Sequence, residues 1–156
     1  MEPIVIPFTP NNLGRVNIKI SVMTGDRKSL KSVNFKLDSG SDFTTLSCDD
    51  LEKLGYLREF LQNCPHYGAA STASNDFDLP LQYITNISLK FGNRELQGCK
   101  IFFALDTRLR SLIGSDILKY FNREINYDKG ELRLKKTAGK PCLSAGEEPI
   151  QIYNLM

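Results

Sequence analysis

Hydrophobic and polar residues alternate along much of the chain, which is the pattern of strands that bury one face. The clearest alternation runs from Val16 to Val22, and a turn at Thr24–Asp26 leads into a second alternating run from Ser32 to Leu37. Further strands are predicted at 4–6, 43–47, 77–89 and 99–105, another is predicted to end at Ile113, and a hairpin is predicted over 125–134. Residues 67–76 are small and polar, which predicts a mobile loop or a hairpin tip.

Two segments instead have helical spacing. Leu51, Leu54, Leu57 and Leu61 predict a helix over 49–61 with its leucines in the core and with Asp49 or Asp50 as its cap. A shorter helix is predicted over 115–121, capped by Ser115. The elements together predict an all-β, barrel-like fold with two short helices.

The length of 156 residues fits one domain. We assign residues 1–136 to this domain. A linker of Gly, Pro and Ser residues follows over 137–149, and a short strand ends the chain at 156. Residues 148–152 repeat the pattern of residues 2–6, so contact between the two similar ends is a further hypothesis.

The composition excludes several classes of function. A net charge of +2 with scattered Lys and Arg residues does not indicate nucleic-acid binding, and no apolar run is long enough for a membrane span. The four cysteines are far apart and His66 is the only histidine, so we expect no metal and no cofactor. The start of the chain is not typical of a signal peptide, and we expect a cytoplasmic protein with free thiols.

Two motifs carry the candidate chemistry. The strand that ends at Leu37 delivers Asp38 into a turn of Ser39, Gly40 and Ser41. Gly40 lets the backbone pass close to the carboxylate, and the serine hydroxyls can donate hydrogen bonds that orient it. Far downstream, the sequence Leu112-Ile113-Gly114 precedes the second predicted helix. By itself an Asp-Ser-Gly sequence is also a common turn.

Together these motifs resemble the active-site framework of retropepsin-like aspartic proteases, and cellular members more closely than viral ones. The resemblance implies a closed barrel that forms a homodimer with its active site at the twofold axis. It implies an endopeptidase in which water is activated between the two Asp38 carboxylates, with Ser39 and Gly40 completing the catalytic turn. The tail over 137–156 is then expected at the dimer interface, and self-processing is expected.

The resemblance also implies a set of residues that bind a polypeptide substrate. Asp42 matches a position that contacts the substrate backbone, and residues 67–76 match the hairpin that closes over substrate in this family. The full set is Ser41, Asp42, Gly68, Ala69, Ser71, Leu112, Ile113 and Gly114. Ser41 stands where viral enzymes often have alanine, and we hypothesise that its hydroxyl bonds the ionised carboxylates and favours activity at lower pH.

Several alternatives stay open from the residues alone. A monomeric site would pair Asp38 with Asp116, Asp106 or Asp128, although none of these lies in a matching motif. A binding or dimerisation module could keep the fold without hydrolysis, because the predicted flap has only one glycine and Ser115 replaces an arginine frequent in viral enzymes. Ser39 as a nucleophile is disfavoured, since no G-x-S-x-G surrounds it.

Overall fold

A computed structural model describes residues 3–8, 16–72, 75–92, 94–105, 109–137 and 151–154. Its strands are β1 Ile4–Pro7, β2 Asn17–Met23, β3 Leu30–Leu37, β4 His66–Thr72, β5 Asn75–Phe91, β6 Arg94–Phe103, β7 Leu112–Ile113, β8 Phe121–Asn126, β9 Glu131–Lys136 and β10 Gln151–Asn154. Its helices are α1 Cys48–Lys53, α2 Arg58–Gln62 and α3 Ser115–Leu118. The prediction of an all-β fold with short helices is confirmed.

The strands form two sheets. The larger has seven strands in the order β10-β6-β5-β2-β3-β7, with β4 paired to β5, and it curls into a half-barrel. The smaller has three strands in the order β1-β9-β8. Among the strand pairs of the described residues, β3 and β7 are parallel and the others are antiparallel.

The alternating runs form the core as predicted. Ile18 pairs with Phe35 and Ile20 pairs with Val33 across β2 and β3, and all four side chains are buried. Removal of such side chains from water is the main stabilising contribution in a fold of this kind. Since β3 ends at Leu37, this buried ladder fixes the point at which the chain enters the Asp38 turn.

The single helix predicted over 49–61 is wrong, because the segment contains two helices. Gly55 has φ of +96°, a left-handed conformation that ends the first helical segment and that glycine adopts without strain. Leu57 is 72% exposed, so the leucine spacing continues past the point where the helix stops. Ser47, rather than Asp49 or Asp50, caps α1 by accepting a hydrogen bond from the Asp50 N–H.

Two other local predictions need correction, and a third had two alternatives. The strand predicted over 43–47 is reduced to isolated bridges of Thr45 with Phe102 and with Leu112. The helix predicted over 115–121 ends at Leu118, and its N-cap is Gly114 instead of Ser115. Of the two predictions for 67–76, a mobile loop or a hairpin tip, the hairpin is the one that agrees with the pairing of β4 with β5.

The first and last described strands, β1 and β10, lie in different sheets. β1 pairs with β9, and β10 pairs with β6, so the described parts of the similar ends are not paired with each other. Cys142 and most of the predicted linker lie outside the described residues, and the domain boundary at residue 136 stays a prediction. Within the described ranges, no helix is long and apolar enough to cross a membrane.

Candidate active site

The backbone around Asp38 holds its carboxylate in a defined turn. The Asp38 N–H donates to the Ile113 carbonyl at 2.9 Å, and the Asp38 carbonyl accepts from the Ser41 N–H at 3.1 Å. The Gly40 N–H donates to Asp38 Oδ1 at 3.1 Å. The other oxygen, Oδ2, lies 3.8 Å from Lys36 Nζ, and the carboxylate side chain is 32% exposed. The turn therefore presents an oriented and accessible acidic group.

Strand β7 lies between the strand that enters the turn and the segment that leaves it. Leu112 pairs in parallel with Lys36 of β3 and bridges Thr45 in antiparallel fashion. The Thr45 N–H donates to the Leu112 carbonyl at 2.9 Å, and the Leu112 N–H donates back to the Thr45 carbonyl at 3.1 Å. The two sequence motifs, which are more than seventy residues apart, thus form one hydrogen-bonded unit.

Gly114 lets the two motifs approach each other closely. A Cβ atom at this position would lie 2.4 Å from the Phe43 carbonyl oxygen and 2.8 Å from the Ser41 carbonyl oxygen. The next residue, Ser115, donates its N–H to the same Ser41 oxygen at 2.7 Å. The φ of Gly114 is −98°, which any residue adopts, so lack of space is what requires glycine here.

Two buried side chains, those of Thr44 and Asp116, form hydrogen bonds that stabilise the contact between the two motifs. Asp116 Oδ2 accepts from the Thr44 N–H at 3.0 Å, while Oδ1 accepts from the Thr44 hydroxyl at 2.6 Å and from the Ile117 N–H at 3.0 Å. The Thr44 hydroxyl in turn accepts from the Gly114 N–H at 3.1 Å. The hydrogen bonds of Thr44 with Asp116 and with Gly114 therefore tie the segment after Asp38 to the start of α3.

These contacts argue against the monomeric site that would pair Asp38 with Asp116. Asp116 is buried, and its oxygens accept the three hydrogen bonds from Thr44 and Ile117, which assigns it a structural role. Asp128 is exposed in the turn between β8 and β9. Asp106 lies outside the described residues. Sequence reasoning missed the positioning role of Asp116, although its place two residues after Gly114 was a usable signal.

The Thr44–Asp116 pair gives a prediction about stability. The variants Thr44→Val and Asp116→Asn should each lower the free energy of unfolding by about 1–3 kcal/mol, because each leaves a buried donor without its acceptor. The double variant should lose less free energy of unfolding than the sum of the two single losses, since both residues belong to one hydrogen-bond network. Chemical unfolding of all four proteins at one pH measures this coupling, with exposed Asp49→Asn as the control. Additive losses would contradict the network.

The direction of the pKa shift of Asp116 predicts how its contribution to stability depends on pH. Burial raises the pKa of its carboxyl, and hydrogen bonds from Thr44 oppose the rise. The unfolded chain therefore releases this proton at a lower pH than the folded chain does. The contribution of Asp116 to stability should fall as pH rises above roughly 4, and Asp116→Asn should remove that fall. The stability advantage of the wild type over Asp116→Asn should shrink as pH rises, and growth of the advantage would contradict this account.

The residues just after Asp38 differ in how accessible they are. Ser39, Gly40 and Asp42 are exposed, and Ser41 is partly exposed. The Ser41 hydroxyl donates to the Phe43 carbonyl at 2.9 Å. This contact directs the hydroxyl proton to Phe43 and not to the Asp38 carboxylate, and the effect of Ser41 on activity at lower pH stays a prediction.

The predicted substrate-binding residues outside the turn belong to β4 and to the junction of β7 with α3. In β4, Gly68 pairs with Leu81, Ala69 with Pro80 and Ser71 with Asp78. Leu112 is partly exposed, whereas the Ile113 side chain is fully buried, and Gly114 is buried. Ile113 therefore acts on the turn through its carbonyl group rather than through its side chain.

Aromatic contacts join the β4–β5 hairpin to the Asp38 turn. The Tyr67 ring lies edge-on to Phe43, with centroids 5.3 Å apart, and edge-on to Phe102 at 5.1 Å. Phe102 is fully buried beneath the base of this hairpin together with Leu81. Since Phe43 belongs to the segment that leaves the turn, the base of the hairpin packs directly against the loop that follows Asp38.

A separate cavity of about 770 Å³ lies between the β2–β3 turn, the α1–α2 loop and β5. Tyr56, Leu57 and Phe60 line it, and none of the predicted site residues does. Burial is the largest cause of a rise in the pKa of Tyr56 to about 12, to which the Asp26 carboxylate adds. Among the described residues, no group of three or more His, Cys, Asp or Glu side chains is arranged to hold a metal ion.

Comparisons with known proteins bear on the fold. No protein-family profile matches the sequence, and no curated protein matches it either. Among solved structures, the chain is similar to the crystal structure of a retropepsin-like aspartic protease from Rickettsia conorii. The two chains are 25% identical, the similarity covers 85% of this chain and 89% of that chain, and the TM-score is 0.57.

Proposed function

Because the chain has the retropepsin-like fold, we propose that it is an aspartic endopeptidase whose active site forms between two copies of the chain. The observation that carries this proposal is the Asp38 turn. Its carboxylate is accessible, it is oriented by the Gly40 N–H, and its backbone is fixed to β7. A purely structural turn has no need for an exposed acid held in this way.

In the proposed reaction, the Asp38 carboxylates of two copies share one proton across a twofold axis. The ionised carboxylate takes a proton from water as the water oxygen attacks the peptide carbonyl carbon. The protonated carboxyl gives its proton to the carbonyl oxygen, which forms a neutral tetrahedral intermediate. Collapse of this intermediate breaks the C–N bond as the amine nitrogen takes a proton from the protonated carboxyl. The ionised carboxylate takes the proton of one hydroxyl, which leaves a carboxylic acid product and restores the shared proton.

The substrate is a polypeptide in extended form, bound beneath the β4–β5 hairpins. We assign the backbone of Gly68, Ala69 and Ser71 to hydrogen bonding with the substrate main chain, as expected when an extended peptide lies beside a strand. Asp42 is exposed beside Asp38 and is proposed to contact the substrate backbone. Ser41, Leu112, Ile113 and Gly114 support the floor of the cleft.

The proposal also covers the domain bounds, self-processing, family kinship and cellular compartment of the protein. We place residues 1–136 in the protease domain and the tail at the subunit interface, and we propose self-processing and closer kinship with cellular than with viral members. We also propose a reducing compartment such as the cytoplasm, because the four cysteines are far apart in the sequence.

Size-resolved activity tests the proposal. The chain is fractionated by size, and each fraction is assayed against a peptide library from about pH 4 to 7, the range in which paired carboxylates act. Cleavage should occur in the dimer fraction and fall as dilution produces monomer. A dimer that binds peptides without cleaving them would instead identify a binding module, and cleavage by a strict monomer would contradict the shared site.

A further inference from the structure

Strand β3 places a lysine on the same face as the catalytic carboxylate. Val33 and Phe35 point into the core, so the alternate residues Asn34, Lys36 and Asp38 face the other way. The 3.8 Å distance from Lys36 Nζ to Asp38 Oδ2 agrees with this arrangement. Lys36 is therefore a neighbour of the reacting group and not a lysine of the remote surface.

The backbone of Lys36 is held by hydrogen bonds, while its ammonium group is accessible for a further hydrogen bond. Its N–H donates to the Ser111 carbonyl at 3.1 Å, and its Cα is paired with Asn17 on one side and Leu112 on the other. The side chain is 34% exposed, so water and substrate can reach it. An ammonium group has three donors, and it can contact Asp38 and a second carboxylate at the same time.

We propose that Lys36 is a specificity-determining residue that selects peptides with an acidic side chain next to the scissile bond. This inference rests on the proposed function, because it assumes that the scissile bond lies over Asp38. A substrate side chain adjacent to that bond then passes within reach of the Lys36 ammonium group. A Glu there forms a charge-assisted hydrogen bond that Gln cannot match.

The proposed twofold symmetry extends this preference to both sides of the scissile bond. Two copies of the chain bring two Lys36 side chains to the site, one beside each Asp38. A Glu immediately before the bond is selected by one copy, and a Glu immediately after it is selected by the other. Cleavage sites with an acidic residue on either side are therefore expected.

Matched peptides test this inference. Peptides that differ only as Glu or Gln on each side of one cleavage site are assayed with the wild type, Lys36→Met and Lys36→Arg. The control is Lys31→Met, which removes an exposed lysine from the other end of β3. The wild type should cleave Glu peptides with kcat/KM about fivefold higher than Gln peptides, the gain typical of an accessible ion pair.

The preference should disappear in Lys36→Met and persist in Lys36→Arg and Lys31→Met. It should also fade below roughly pH 4, where the peptide Glu becomes protonated. Equal cleavage of Glu and Gln peptides by the wild type, or a preference that survives Lys36→Met, would overturn the role of Lys36 while leaving the peptidase established. Absence of cleavage of every peptide would instead contradict the proposed function, and this inference would fail with it.

Discussion

Replacing Asp38 with Asn should lower kcat/KM for peptide cleavage by at least about a thousandfold, the scale of a lost general acid–base group. An amide neither takes a proton from water nor gives one to the carbonyl oxygen. The fold should persist, because the side chain is partly exposed and an Asn oxygen can still accept from the Gly40 N–H. Dimer formation should persist for the same reason.

Steady-state kinetics on a cleaved library peptide measures this loss, and circular dichroism with size analysis checks that the variant is folded and dimeric. Asp128→Asn is the matched control, since it removes an exposed carboxylate from the β8–β9 turn by the same substitution. Its kcat/KM should equal that of the wild type. Cleavage that survives Asp38→Asn within tenfold would place the active site elsewhere.

Gly114→Ala should produce the second large effect, a fall in the free energy of unfolding of about 3 kcal/mol. The added methyl group would overlap the Phe43 carbonyl oxygen at 2.4 Å, and backbone atoms cannot rotate away as a side chain does. Separation of Gly114 from Phe43 would also strain the Ser115 to Ser41 hydrogen bond. Activity should fall even in the molecules that remain folded, because this loop sets the position of Asp38.

Thermal unfolding and activity measured on the same preparation test the Gly114 prediction. Gly25→Ala in the β2–β3 turn is the matched control, because its Cβ would lie no closer than 3.2 Å to its neighbours. That variant should change the free energy of unfolding by about 1 kcal/mol or less. A Gly114→Ala protein as stable and active as the wild type would mean that the two motifs are not packed as described.

The parts of the fold that follow from local pattern could be predicted from the sequence. The alternation predicted for β2 and β3 is confirmed. Each strand buries one face, so hydrophobic residues recur at every second position of its sequence. The helix over 49–61 was wrong because the leucine spacing happens to continue through the break at Gly55. The predicted strand near Thr45 was wrong because it makes only isolated bridges.

Some parts of the candidate site could be predicted from the sequence, and others needed the structure. The Asp38 turn and Leu112-Ile113-Gly114 were found because each has a compact signature, and the structure brings them together. The Thr44–Asp116 pair was not found, because its hydrogen bonds join residues 72 positions apart. A long-range contact between two polar side chains leaves no periodic signal in either segment. The place of Lys36 was visible as strand alternation, but its distance to Asp38 needed the structure.

The most direct test of an active site shared between two copies uses mixed dimers. Wild-type and Asp38→Asn chains are unfolded together in equal amounts, refolded at a fixed total concentration, and assayed for peptide cleavage. If each active site needs Asp38 from both copies, only dimers of two wild-type chains act, and activity should be about a quarter of that of pure wild type. Activity of about one half would show that each chain works with its own carboxylate, and it would contradict the shared site.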